Sequence, residues 1–295
     1  MSRADTRAEP DPVLPPLHMR RDAFDPTPLL RQVRETVGVQ TVTNAFGMQV
    51  YLVTRYEDVK AVLSDHARFA NGRPPGFVVP GAPPMDEQEV ARNRSGNLLG
   101  LDPPRHQRLR RMLTPEFTIR RIDRLRPRIA EIVDAQLDEL TAAGPPADLV
   151  AHFALPIPSL VICELLGVPH ADREDFQHRS ARQLDLSLPI PERLELQREG
   201  RAYMSVLVAG ARAHPGDDIL GMLVREHGDE LTDDELIGVA GLLLLAGHET
   251  TSNMLALGAL ALLRHPDQAA AVRDDPAAVA PAVEELLRYL SIVHT

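Results

Sequence analysis

The chain has 295 residues, 44% of them hydrophobic, enough for a substantial core in one large or two medium domains. Acidic residues outnumber basic ones 42 to 32, a net charge of -10 that excludes a general attraction to nucleic acid or anionic membrane and leaves any basic partner site local. A single cysteine rules out an internal disulfide framework and suits a reducing, cytoplasmic setting, and the polar, proline-bearing first residues lack the apolar core of a signal peptide.

In chain order, residues 1–28 carry repeated prolines and little periodicity and read as an irregular arm, with 29–295 as the main domain. Residues 41–46 and 48–54 alternate around Gly47, which predicts a small hairpin, and 57–63 a short helix. A turn-dense loop over 71–84 carries apolar residues and is of the kind that lies over binding sites. From Asp102 the pattern turns helical and arginine-rich. His106 and Arg110 are four apart, on one helix face, and can reach one pair of carboxylates together. Arg105, Arg108, Arg110 and Arg111 equally suit a solvated basic face. Residues 119–140 form a long amphipathic pattern with Pro127 in its first half, ended by Gly144-Pro145-Pro146. Residues 159–166 read as a short apolar helix in which Cys163 is a small core residue. Two further helices, 172–182 and 192–213, flank Leu188-Pro189-Ile190-Pro191.

The stretch around residues 236–263 reads as one long helix, begun by the capping box Thr232/Glu235 and ended before Pro266. At 1.5 Å per residue about thirty residues reach roughly 45 Å, across a whole domain. Both halves are apolar on every face, so the helix is expected to be surrounded by protein, yet neither half reaches the ~18 apolar residues of a membrane span. Between them lies the polar run His248 to Asn253. Ala246 and Gly247 cut the helix surface down beside it, forming a notch for a flat or small ligand. Thr250 can bond the carbonyl of Ala246 and open the helix slightly, and Glu249 adds an ionisable group, so acid and alcohol together form a plausible proton relay. A purely structural polar cluster bonded to neighbouring helices is the alternative. Ser252 stands where a zinc protease needs its second histidine, and the one lysine, Lys60, lies in no phosphate loop. Two last helices follow, 266–273 and 277–289, the second with Glu285 and Arg288 spaced to pair with each other.

Ala246-Gly247-His248-Glu249-Thr250-Thr251 resembles the A-G-x-[DE]-T-T motif in the central helix of bacterial soluble cytochrome P450 haem-thiolate monooxygenases. The run from Asp102 to Arg111 resembles that family's C helix, and Glu285 to Arg288 its E-x-x-R. The resemblance runs from about Phe24 to the last residue. It implies a mainly α fold with a small β-sheet region and a haem b cofactor whose propionates His106 and Arg110 would hold. Ala246 and Gly247 would lie against the haem, while Leu242, Leu245 and Ala246 would line a pocket for a hydrophobic small molecule. Thr250 would hydrogen-bond the reacting oxygen and Glu249 would deliver protons. The loop over 71–84 would cover the pocket, the segment around 188–191 would be a mobile lid, and Glu285 with Arg288 would brace the core together with a later arginine. A ferredoxin-type donor fed by NAD(P)H would supply electrons, with Arg108 and Arg111 as docking candidates; nucleic acid and membrane are not implied.

The sequence stops shortly after the E-x-x-R helix, before the family's cysteine loop, and Cys163 lies far from where that ligand belongs. Without an axial thiolate there is no electron push to favour O–O cleavage, so this chain by itself is expected not to catalyse monooxygenation. Three readings follow: a C-terminally shortened monooxygenase, a haem-free relative acting as an auxiliary interaction protein, and an unrelated helical binding protein. Retention of Glu249, Thr250, His106 and Arg110 favours the first.

Overall fold

The computed structural model describes residues 17–44, 47–72, 86–184 and 188–293. It divides into two units, one within residues 1–69 and one spanning 70–293. In the first, a two-residue strand pair, β1 (Arg21–Asp22) with β2 (Asp25–Pro26), precedes α1 (Pro28–Thr36), whose proline at the first turn needs no amide partner. The expected hairpin follows as β3 (Val39–Thr43) and β4 (Gln49–Val53), antiparallel with Thr41 opposite Tyr51. Helix α2 (Tyr56–Ser64) completes this unit. The part of the expected irregular arm within 17–28 is therefore partly ordered, and residues 1–16 lie outside the described residues.

The second unit is helical among its described residues. After Asn71 and Gly72 come α3 (Glu87–Arg94), α4 (Arg105–Leu113), α5 (Ile119–Ala143), α6 (Pro156–Leu166), α7 (Arg173–Leu184), α8 (Ile190–Ala213), α9 (Ile219–His227), α10 (Asp233–Arg264), α11 (Pro266–Asp274) and α12 (Val279–Tyr289). Most of the loop expected over 71–84 falls outside the described residues, as do 185–187 before α8. Helix α6 ends at Gly167, whose φ of +68° lets the chain turn back so that the Val168 amide bonds the Cys163 carbonyl at 2.9 Å. Helices α1, α3 and α9 were not evident in the sequence. Each has only eight or nine residues, too short for a strong apolar period, although Asp86 and Asp218 cap α3 and α9 by accepting from the Glu89 and Gly221 amides.

Helix α10 is the axis of this unit. Its capping box forms as expected: the Glu235 amide donates to Thr232 Oγ1 at 3.2 Å and the Thr232 amide to Glu235 Oε2 at 3.1 Å. Leu236, Val239, Ala240 and Leu244 sit in the main core with Leu220 and Leu223 of α9 and Val208 of α8, and α6 and α8 are its chief neighbours. Burial of such side chains contributes about 1.5–3 kcal/mol each. The helix is not enclosed along its whole length, however. Leu245 is 47% exposed and Leu263 76%, and Ala246 is exposed as well. The apolar surround expected for the entire helix holds for its first part and becomes one-sided from Leu245 on, where His248, Ser252, Gly258 and Ala261 stay buried. No described helix is long and apolar enough to cross a membrane.

Candidate functional site

The polar run in α10 sorts its residues by angle around the helix. Gly247, next to Ala246 and 100° further round, turns toward α6: a Cβ there would lie 3.2 Å from Ile162 Cδ1. Gly247 therefore packs against α6 at Ile162. Ala246 and Leu245 keep the open side. Leu242, expected with them, is half-buried and packs against the core. His248 is buried to 2% exposure with its Nδ1 lacking a hydrogen-bond partner, and burial pushes its pKa below 6.5, so the ring is neutral at pH 7.

On the open side the predicted acid and alcohol stand beside each other. The Thr250 hydroxyl donates to the Ala246 carbonyl at 2.6 Å, the back-bond expected from the spacing, and Glu249 Oε2 accepts from Asn253 Nδ2 at 3.3 Å. Thr250, Thr251 and Met254 form one wall of a cleft of about 410 Å³ whose other wall is Leu287, Leu290 and Val293. The hydroxyl thus borders a mostly apolar space, the combination a small-molecule site needs.

His106 and Arg110 share α4 as predicted. His106 is half-buried, Arg110 is exposed, and among the described residues no carboxylate pairs with Arg110. A free guanidinium one helical turn from an imidazole fits an anionic ligand with two carboxylates. Arg108 between them behaves differently. It pairs with Glu235 at the start of α10 and donates to the Glu230 carbonyl at 3.2 Å, so its guanidinium is engaged within the fold. The reason is angular: two residues along a helix is 200° around it, so Arg108 faces away from His106 and Arg110. Arg111 remains exposed.

Glu285 and Arg288 do pair, through two bonds of 2.6 and 2.7 Å that hold the Glu285 carboxyl below its ordinary pKa. Their side chains are 61% and 70% exposed, so here they form a surface pair on α12 instead of a buried brace. Cys163 is fully buried in α6 and burial pushes its thiol up to about 12, which keeps it protonated at neutral pH.

Three structural contacts were missed. Asp102 accepts from the Asn71 and Gly72 amides at 2.8 Å each, and these bonds lower its pKa. Ser95 and Gly96 cross α10 at Gly238, so closely that a Cβ on Gly238 would fall 1.7 Å from the Ser95 carbonyl oxygen. The third is the Arg108–Glu235 bridge. A glycine inside an otherwise apolar helix, unfavourable by about 1 kcal/mol against alanine, was the available signal for the second.

Comparisons with known proteins place the family of this helical scaffold. Residues 212–289, from the end of α8 to the end of α12, match the family model for cytochrome P450. The chain is 51% identical over 280 residues to cytochrome P450 FAS1 of Rhodococcoides fascians, covering 95% of this chain and 70% of that one. It is 40% identical over 301 residues to nocardicin C N-oxygenase of Nocardia uniformis subsp. tsuyamanensis, covering 99% and 71%. The solved structure of P450 StaH from glycopeptide antibiotic A47934 biosynthesis superposes with a TM-score of 0.80 at 42% identity, over 94% of this chain and 70% of that one. The chain thus spans about seven tenths of these relatives' length. With a helical scaffold shared at that level and an acid–alcohol pair on the open side of its central helix, the chain belongs to the cytochrome P450 monooxygenase family.

Proposed function

We propose that the open side of α10 is the haem-facing wall of a monooxygenase site that inserts one oxygen atom from O2 into a hydrophobic small molecule. The observation that carries this reading is the Thr250 hydroxyl, held by the Ala246 carbonyl at 2.6 Å at the edge of an apolar cleft. A hydroxyl so placed can accept or pass on a proton without leaving the helix, and Glu249 beside it can exchange that proton with solvent. Haem b, when bound, would supply the oxygen-activating chemistry. His106 and Arg110 would hold its propionates, Leu245 and Ala246 would present a small apolar surface to it, and Leu242 would contribute at the edge. A relative named for N-oxygenation of nocardicin C supports oxygen transfer to a small molecule as the reaction class.

Arg111 is a candidate for docking an acidic ferredoxin-type donor fed by NAD(P)H. Cys163 is buried and protonated, so it is not proposed as the iron's ligand.

Titration with haemin, followed by reduction and carbon monoxide, tests the reading. It predicts saturable binding of one haem, a CO spectrum without the thiolate-type Soret band, and affinity weakened by about 10- to 100-fold in Arg110→Ala, as expected for one charged hydrogen bond of ~1.5–3 kcal/mol. Absence of saturable binding, or equal affinity in Arg110→Ala, contradicts it. A thiolate-type band contradicts the assignment of Cys163.

A further inference from the structure

We propose that Arg108 is a positioning residue whose bridge to Glu235 fixes α4 against the start of α10, and with it the direction in which the His106–Arg110 face is aimed. The proposal rests on the haem-site reading only for what the His106–Arg110 face holds.

The bridge starts from a carboxylate that needs a counter-charge. Glu235 is 7% exposed, and an unpaired carboxylate there would be strongly unfavourable. Its Oε2 is already committed to the Thr232 amide at 3.1 Å and hydroxyl at 3.3 Å, so the capping box fixes its orientation and leaves Oε1 for Arg108. The same guanidinium reaches the Glu230 carbonyl at 3.2 Å, which makes it a two-point contact that resists rotation. Neighbouring Asp234 and Asp233 are held by Arg201 and, at 2.9 Å, Arg212. Both of those arginines come from α8, so of the three carboxylates in this turn only Glu235 is tied to α4. Elsewhere α4 packs mainly on α9 and on the short helices flanking it. On α4 itself, Arg108 points 200° away from both His106 and Arg110. A pull on the back of the helix therefore fixes where its front is aimed.

The test measures position directly. Spin labels at the exposed Gln107 and Leu263, introduced as cysteines in a Cys163→Ala background, report the α4–α10 distance by pulsed electron paramagnetic resonance. The parent should give one narrow distance, and Arg108→Gln and Glu235→Gln should each broaden or shift it while helix content is kept. Haemin affinity should fall about tenfold in both variants, and the charge-swapped pair Arg108→Glu with Glu235→Arg should restore the narrow distance. If Arg108→Gln does not fold, Arg108→Lys keeps the charge, loses the two-point contact and should still broaden the distance. An unchanged distance in folded variants that have merely lost thermal stability overturns the proposal. A parent that binds no haemin counts against the haem-site reading alone, and the distance result then decides the positioning role by itself.

Discussion

The two ends of one helix segment make opposite use of polar groups. At the start of α10, Asp233, Asp234 and Glu235 each pair with an arginine, and Gly238 lies against another backbone. Three turns later, among the described residues, Thr250 bonds its own helix at the Ala246 carbonyl, Glu249 bonds Asn253, and Leu245 is half-exposed. Polar groups at the front are consumed by tertiary contacts, which order the helix; Thr250 and Glu249 in the middle are satisfied within the helix, which leaves their outer side free to meet a ligand. A rigid front and an open middle on one continuous helix are what a site with fixed geometry requires.

The contrast breaks most severely at the front. Gly238→Ala forces a methyl group into the Ser95 carbonyl and should destabilise the fold by about 3 kcal/mol or more, measured by urea unfolding. A loss under ~1 kcal/mol would mean that the crossing is loose. Arg108→Gln should cost about 2 kcal/mol, less than the full range for a buried pair because Arg108 is itself 36% exposed.

His248 gives a pH-dependent test between the two regions. Its folded pKa lies below 6.5, so as pH falls the unfolded chain takes up the proton first. Stability from this group is fully present above pH 6.5 and is lost as pH falls from there toward the folded pKa. His248→Phe should flatten that part of the stability profile relative to the parent; an unchanged slope would show that the ring is not desolvated. The smallest effect is expected in the open middle. Thr250→Val removes one local bond and should change stability by no more than ~0.5 kcal/mol, a change several times larger marking a structural hydroxyl.

How much of this was legible in the sequence follows the range of the interactions. The capping box, the Thr250 back-bond, the His106–Arg110 spacing and the Glu285–Arg288 pair depend on separations of three or four residues, which a helix fixes in advance. The packing of Gly247 on α6 was not legible because its neighbour is Ile162, 85 positions earlier in the chain, and only packing shows which side of the helix α6 occupies. The Arg108–Glu235 bridge was not legible for the same reason: its partners are 127 residues apart. Exposure of the Glu285–Arg288 pair likewise depends on what covers α12, and local spacing carries no information about that.

Hydrogen–deuterium exchange along α10, with and without haemin, tests the central contrast most directly. Strong protection of residues 235–244 in both states, with weak protection around 246–251 that rises when haemin is added, is the predicted result. Equal protection along the helix without haemin, or a gain confined to the first turns, would contradict it.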